Sequence, residues 1–199
     1  MKKNDGLNDS GHYFDMNAPQ GLELAKMHLI HSLISQPKMR RRNGVCYFTV
    51  RRWRASEKPL QINLVRNIKQ NRPELLMDLA GKEIISVANQ IIGTKCIDAV
   101  TSIPSSHPKK KSLSKLIGQQ TAKLIQKPYI EAFNPINARW NSSHPKNNIH
   151  REKITLKHPL NGYILLVDDI ATSGSHIEEA VKLLRPKAEL IISIAWIGQ

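Results

Sequence analysis

Cysteine, aromatic residues and acidic residues are all scarce in this chain of 199 residues. The two cysteines, Cys46 and Cys96, match no metal-site spacing and form no disulfide framework, so we interpret them as reduced thiols. Aromatic residues make up only 5% of the chain. There is no run of about 18 apolar residues, so no transmembrane helix is expected. The 40% of hydrophobic residues suffices for one domain with a sizeable core.

The shortage of acidic residues leaves a large positive charge. Sixteen Asp and Glu residues face 30 Lys and Arg residues, which gives a formal net charge of +14. Such a chain favours polyanions and phosphate-rich ligands as partners. Two interpretations stay open: contact with DNA or RNA, and a basic surface that only faces solvent. The candidate nucleic-acid contacts are Arg40, Arg41, Arg42, Arg51, Arg52, Trp53 and Arg54, with Trp53 as the residue that stacks on a base.

The first 18 residues lack the apolar core of a signal peptide, and we expect them to be disordered and the protein to be cytoplasmic. Beyond them, hydrophobic spacing predicts helices over 20–34, 74–92, 112–125 and 175–184. Strands are predicted over 45–50, 97–103, 128–130, 163–167 and 190–196, and Trp196 is expected to pack in the last of these. Alternating strands and helices indicate an α/β fold with a doubly wound, mostly parallel sheet. We divide this single compact domain into an N-terminal helical region, 19–95, and a core, 96–199.

The most informative segment is 164–175, which reads Ile-Leu-Leu-Val-Asp-Asp-Ile-Ala-Thr-Ser-Gly-Ser. An apolar strand ends in Asp168 and Asp169, at the carboxyl end where open α/β sheets bind ligands. A turn of small residues follows, and Ser175 with Glu178 fits a capping box at the start of a helix. Backbone N–H groups of such a turn, at the positive end of a helix, form a cradle for an anion such as phosphate. The alternative is an ordinary strand, turn and helix with an acidic strand end.

This segment resembles the phosphoribosyl-pyrophosphate (PRPP) signature of the type I phosphoribosyltransferases, and it meets every fixed position of that signature. The resemblance implies the fold of that family, with a hood built from the N-terminal half. It also implies that Asp168 and Asp169 contact the ribose hydroxyls, alongside Mg²⁺ that they hold directly or indirectly. The residues that would hold the 5′-phosphate are Ala171, Thr172, Ser173, Gly174 and Ser175.

Two loops resemble other parts of such a site. The loop after the strand 97–103 is similar to the family's pyrophosphate loop, which implies that Ser105, Ser106 and Lys109 hold the pyrophosphate. Residues 134–151 occupy the place of the family's catalytic loop, where Lys146 and Arg151 are our candidates for closing over the pyrophosphate. A basic, solvated loop is the alternative at both places.

Two functions from different classes follow. In the first, a magnesium-dependent transferase moves the phosphoribosyl group of PRPP to an acceptor, such as a nucleobase nitrogen, and releases pyrophosphate. In the second, the fold is a regulatory module that senses PRPP or a nucleotide and binds nucleic acid. No membrane partner is expected, and a homodimer stays open.

Overall fold

The computed structural model describes residues 19–71, 73–104, 112–136 and 153–199. Within these ranges the chain forms five strands and five α-helices, and a short 3₁₀ turn lies at Thr94–Cys96. The elements, in chain order, are α1 (Pro19–Ser32), β1 (Lys38–Arg42), β2 (Val45–Arg52), α2 (Lys58–Asn71), α3 (Glu74–Ile91), β3 (Ala99–Ser102), α4 (Leu113–Leu124), β4 (Gly162–Ala171), α5 (Ser175–Leu184) and β5 (Ala188–Gly198).

The five strands form one sheet in the order β1-β2-β5-β4-β3. β1 and β2 are an antiparallel hairpin, whereas β2–β5, β5–β4 and β4–β3 are parallel pairs. This confirms the predicted α/β class with a mostly parallel sheet. In the register, Ser102 lies opposite Val167 and Asp168 lies opposite Ala195, so β3, β4 and β5 end at the same edge of the sheet.

Both faces of the sheet are covered, as parallel sheets require. On one face, α1, α2, α3 and α4 pack with Leu165, Val167, Ile194 and Trp196 into one apolar cluster. On the other face, α5 packs with Ile164, Leu166 and residues from 132–136 and 154–160 into a second cluster. Because β4 pairs with β5 on one side and β3 on the other, its acidic end lies inside the sheet and not at an edge.

Strand β1 and helix α2 were missed from the sequence, and one predicted strand is not formed. Helix α2 buries Gln61, Leu64, Val65 and Ile68, a helical spacing that the sequence contains. The predicted strand 128–130 is instead a single bridge between Tyr129 and Val100. The N-terminal region 19–95 supplies two strands of the sheet and three helices on one face. Its role as a hood over a ligand stays a prediction.

A buried polar cluster joins the sheet to α3. Trp196 is buried, as predicted, and its indole N–H donates to Glu83 Oε2 at 2.8 Å. The Arg51 guanidinium, on β2, donates to both oxygens of the same carboxylate, at 2.6 and 2.9 Å. Arg51 and Trp53 are both buried, which does not fit their predicted contact with nucleic acid. Although their sequence neighbours are basic, these two side chains lie in the protein interior.

Among the residues that the structure describes, no helix is long and apolar enough to cross a membrane.

Candidate functional site

The centre of the candidate site is the acidic pair at the end of β4. Asp168 and Asp169 are both buried. Each carboxylate accepts a hydrogen bond from the next backbone N–H: Asp169 N donates to Asp168 Oδ1, and Ile170 N donates to Asp169 Oδ1, both at 2.9 Å. These bonds fix the orientation of the two side chains and leave acceptor oxygens for a further donor.

A lysine that sequence reasoning missed lies beside this pair. Lys69, in the last turn of α2, forms an ion pair with Asp169 Oδ2. Burial opposes the charged form of Asp169, yet the ammonium of Lys69 holds the pKa of that carboxyl below its ordinary value. Burial and the adjacent charge of Asp169 both raise the pKa of Asp168. The two neighbouring carboxyls therefore differ in their affinity for a proton.

β4 continues to Ala171, beyond its predicted end at residue 167, and the turn of Thr172, Ser173 and Gly174 leads from it to Ser175 at the start of α5. Thr172 and Ser173 are exposed, and Gly174 has a φ of 71°, in the left-handed region. A Cβ on Gly174 would lie 2.7 Å from Tyr47 Cε1 and from its hydroxyl oxygen, so Tyr47 of β2 supports the turn from behind. Both the backbone conformation and the close approach require glycine at this position.

The predicted capping box at Ser175 is wrong. Ser175 is the first helical residue of α5, and Gly174 is the N-cap without a side-chain cap bond. Instead, the Ser173 hydroxyl oxygen accepts from Ser175 N at 3.4 Å, so the accepting side chain lies two residues before the predicted one. The capping-box pattern fails because the left-handed glycine moves the helix start by one residue.

The carboxylate of Glu178, in the first turn of α5, accepts hydrogen bonds from three side chains. Arg42 Nε donates to it at 2.7 Å, Asn43 Nδ2 at 3.0 Å and Lys182 Nζ at 2.6 Å. Hydrogen bonds from Lys182, Asn43 and Arg42 lower the pKa of Glu178 to about 2. Because two cations neutralise this carboxylate, the positive end of α5 keeps its attraction for an anion bound at the turn.

Arg42 has a second contact at the site, since its Nη1 donates to the carbonyl oxygen of Ser173 at 3.2 Å. It was predicted as a nucleic-acid contact, but the structure brings it to the turn after β4. Of the other predicted contacts, Arg54 donates to the Ser32 carbonyl and pairs with Glu57, and Arg52 donates to Gln36. Arg40 and Arg41 lie on β1, at the edge of the sheet.

The predicted pyrophosphate-loop residues, and residues 137–151 of the predicted catalytic loop, lie outside the described residues. Ser105, Ser106 and Lys109 follow β3, whose last residue Ser102 shares a hydrogen bond of 2.8 Å with the Tyr129 hydroxyl. Burial raises the pKa of Tyr129 to about 12, so this phenol stays protonated.

Lys146 and Arg151 lie between two described segments that pair with each other. Phe133 and Leu156 form an antiparallel bridge, and Ile154 N donates to Glu179 Oε1 of α5 at 2.8 Å. The described segments that flank the predicted catalytic loop are therefore paired with each other.

The described residues contain no group of three or more His, Cys, Asp or Glu side chains that could hold a metal ion. Asp168 and Asp169 offer two carboxylates, which suits Mg²⁺, since this ion keeps several waters and is usually bound by one or two carboxylates together with substrate phosphates. The donor set therefore fits magnesium that arrives with a phosphorylated substrate.

Tyr47, Lys69 and the role of Arg42 were missed from the sequence. Each of them reaches the site from an element that lies about 90 positions or more before β4 in the sequence. Only the helical spacing around Leu64 and Ile68 could have predicted that α2 exists, and that spacing does not say which end of α2 meets the acidic pair.

No protein-family model matches the chain, and no curated protein is significantly similar to it. Among solved structures it is similar to PRPP synthetase from Mycobacterium smegmatis, with 20% identity over 60% of this chain and 33% of that one, and a TM-score of 0.40. It is also similar to Leishmania donovani UMP synthase, with 14% identity, 89% and 31% of the two chains covered, and a TM-score of 0.44. The chain thus spans about a third of the length of these two proteins.

A third similar structure is adenine phosphoribosyltransferase from Saccharomyces cerevisiae, at 14% identity over 89% of both chains, with a TM-score of 0.43.

Proposed function

We propose that the chain is a phosphoribosyltransferase that binds PRPP at the end of β4 and transfers its phosphoribosyl group to an acceptor with release of pyrophosphate. The observation that carries this proposal is the juxtaposition of a buried acidic pair, a turn of small residues and the start of α5 within eight consecutive residues, 168–175. Acceptors for sugar hydroxyls and donors for a phosphate then lie a few ångströms apart, as a sugar phosphate requires.

In this proposal the 5′-phosphate lies on the turn, residues 171–175. Backbone N–H groups there, the exposed hydroxyls of Thr172 and Ser173 and the positive end of α5 all favour an anion. The ribose lies across the end of β4, where Asp168 and Asp169 accept hydrogen bonds from its hydroxyls. Glycine at 174 lets the backbone turn tightly enough to follow the phosphate.

The chemical step demands that the sugar stay in line with its leaving group as charge develops. An acceptor nitrogen forms its bond to C1 as the bond from C1 to pyrophosphate breaks, and the ring becomes oxocarbenium-like. The carboxylates at the strand end stabilise that positive charge while they hold the hydroxyls. A nucleobase nitrogen is the acceptor that we propose, as the resemblance to the family implies.

Mg²⁺, when bound with PRPP, would neutralise part of the charge on the departing pyrophosphate, and Asp168 and Asp169 are the described residues that would hold it. Ser105, Ser106 and Lys109 stay our prediction for pyrophosphate contact. Lys146 and Arg151 stay our prediction for the residues that close over the pyrophosphate and exclude water.

The proposal is tested by measuring pyrophosphate release from PRPP with magnesium against a panel of nucleobases. The unmodified chain should release pyrophosphate in a base-dependent manner. Lys146→Ala should lose turnover by about two orders of magnitude or more. Its affinity for PRPP should be unchanged, because we propose that Lys146 acts on the transition state. PRPP binding without any base-dependent release would contradict catalysis and favour the regulatory module.

A second candidate, a module that binds nucleic acid, is favoured by one observation. β1 is an edge strand of the sheet, and three of its five residues are arginines beside an exposed Lys38. Arg40 and Arg41 thus provide a basic edge that a polyanion can approach. Arg42 does not belong to this edge surface, since it contacts Glu178 and Ser173.

A further inference from the structure

The contact between Lys69 and the acidic pair has no counterpart in the motif at 164–175. Lys69 comes from α2, about 100 positions earlier in the chain, and its ammonium lies on Asp169. The side chain of Asp169 is 12% exposed and that of Lys69 is 35% exposed. The carboxylate is therefore mostly enclosed, whereas the lysine is partly open to a ligand that approaches the strand end.

The charges at this strand end explain why a cation is needed there. Two adjacent buried carboxylates repel each other, and they would also repel a phosphorylated sugar. In a site of this kind a divalent metal usually supplies the compensating charge. Here Lys69 supplies a positive charge from the protein itself, and it lies in the last turn of its helix, where the helix dipole favours a cation.

The hydrogen-bonding capacity of Lys69 also suits a sugar. An ammonium group has three N–H donors, and a carboxylate offers only acceptors. A hydroxyl of a vicinal diol both donates and accepts. Asp168 and Asp169 can accept from the diol, and Lys69 can donate to its oxygens while it keeps the ion pair with Asp169. The three side chains together are therefore more complementary to a diol than the acidic pair alone.

We infer that Lys69 is a sugar-binding residue that supplies the positive charge at the acidic pair when no metal is bound, so that the site binds a 5-phosphorylated pentose without metal. This inference rests on the proposed function. It assigns the need for magnesium to the pyrophosphate half of PRPP, and it predicts that a pentose 5-phosphate, which lacks pyrophosphate, binds equally well with EDTA and with Mg²⁺.

The test is a calorimetric titration with ribose 5-phosphate in EDTA and in magnesium. The unmodified chain should bind in both buffers with similar affinity. Lys69→Met keeps the length and apolar stem of the side chain but removes its charge, and in EDTA it should lose about tenfold or more in affinity, as expected for a charged hydrogen bond. Lys69→Arg, which keeps the charge, should keep most of the binding.

The matched control is Lys58→Met, the same substitution in the first turn of the same helix, which should leave the affinity unchanged. Circular dichroism and the thermal midpoint of each variant identify loss of folding, and Lys69→Arg keeps the test valid if Lys69→Met unfolds. Binding only in magnesium, or unchanged affinity in folded Lys69→Met, would overturn the role of Lys69 and leave the proposed function intact. Binding in neither buffer would overturn the proposed function together with it.

Discussion

At the residue scale, Gly174 is subject to two separate constraints in the turn between β4 and α5. Its φ of 71° and the nearby Tyr47 ring act together. Gly44 has a similar φ of 80°, but a Cβ there would meet nothing within 4 Å. The two glycines therefore separate the effect of backbone conformation from that of steric contact.

We expect Gly44→Ala to lower the free energy of unfolding by about 1 kcal/mol, the cost of a left-handed residue with a side chain. Gly174→Ala should lower it further, because Tyr47 must also move, and it should weaken ribose 5-phosphate binding. Urea unfolding and calorimetry of both variants measure this. Equal destabilisation, with sugar-phosphate binding unaffected, would show that the contact with Tyr47 does not matter.

Glu178 gives a prediction about pH. Its pKa falls from 4.5 to about 2 in the folded chain, so its contribution to stability is present above about pH 4.5 and is lost as the pH falls toward 2. Glu178→Gln, which cannot ionise, should lose less stability than the unmodified chain between pH 6 and pH 3. Urea midpoints at both pH values test this, with Glu23→Gln in an exposed pair as the control. A parallel pH dependence in the unmodified chain and Glu178→Gln would contradict the assigned ion pairs.

The acidic pair and the turn could be predicted at this scale because their chemistry is contiguous in the sequence. Asp168, Asp169 and Gly174 all lie where the motif indicates. Lys69 and Tyr47 could not be predicted, because their positions depend on how α2 and β2 pack against β4. Residue types alone do not show which segments far apart in the sequence pack together.

At the scale of elements, α3 is fixed to the sheet by a buried charge. The side chain of Arg51 is 9% exposed and that of Glu83 is 19% exposed, and Glu83 also accepts from Trp196. One carboxylate thus links β2 and β5 to the helix that packs over them.

Glu83→Ala should destabilise the fold by about 3 kcal/mol or more, because it leaves Arg51 buried without its partner. Glu23→Ala removes a carboxylate from the exposed pair with Lys26 and should cost less than about 1 kcal/mol. Equilibrium urea denaturation of the two variants gives the comparison. Similar costs for both would mean that the Arg51–Glu83 pair is not fixed in the interior.

The regular elements were largely predictable, and their failures have local causes. Helix α3 begins and ends within a residue of its predicted bounds, since Pro73 and Gly93 delimit it. β1 was missed because four of its five residues are basic and show no apolar alternation. Such a strand forms only because β2 pairs with it along the edge of the sheet.

At the scale of the whole molecule, the charge of +14 is shared between internal and surface roles. Arg51 is buried with Glu83, and Arg42 and Lys69 serve the site at the end of β4. The number of cations that face solvent is therefore smaller than the composition suggests. Net charge alone overstates the case for a nucleic-acid surface.

We expect single-stranded DNA to bind weakly and to lose most of its affinity between about 50 and 200 mM salt, because binding through charge attraction weakens steeply as salt rises. The double substitution Arg40→Ala with Arg41→Ala should weaken the binding at low salt, whereas Trp53→Phe should not, because Trp53 is buried. Fluorescence anisotropy with a labelled oligonucleotide measures both. Affinity that persists at the higher salt would support the nucleic-acid module.

The central claim is that the strand end at Asp168 binds PRPP, and calorimetric titration with PRPP and magnesium tests it most directly. The unmodified chain should bind, and Asp168→Asn should weaken binding by about tenfold or more. Asp98→Asn, at the opposite end of β4 where Asp98 accepts from Tyr163 N, is the matched control and should bind as the unmodified chain does. Undiminished binding by folded Asp168→Asn, or no binding by the unmodified chain, would contradict the account.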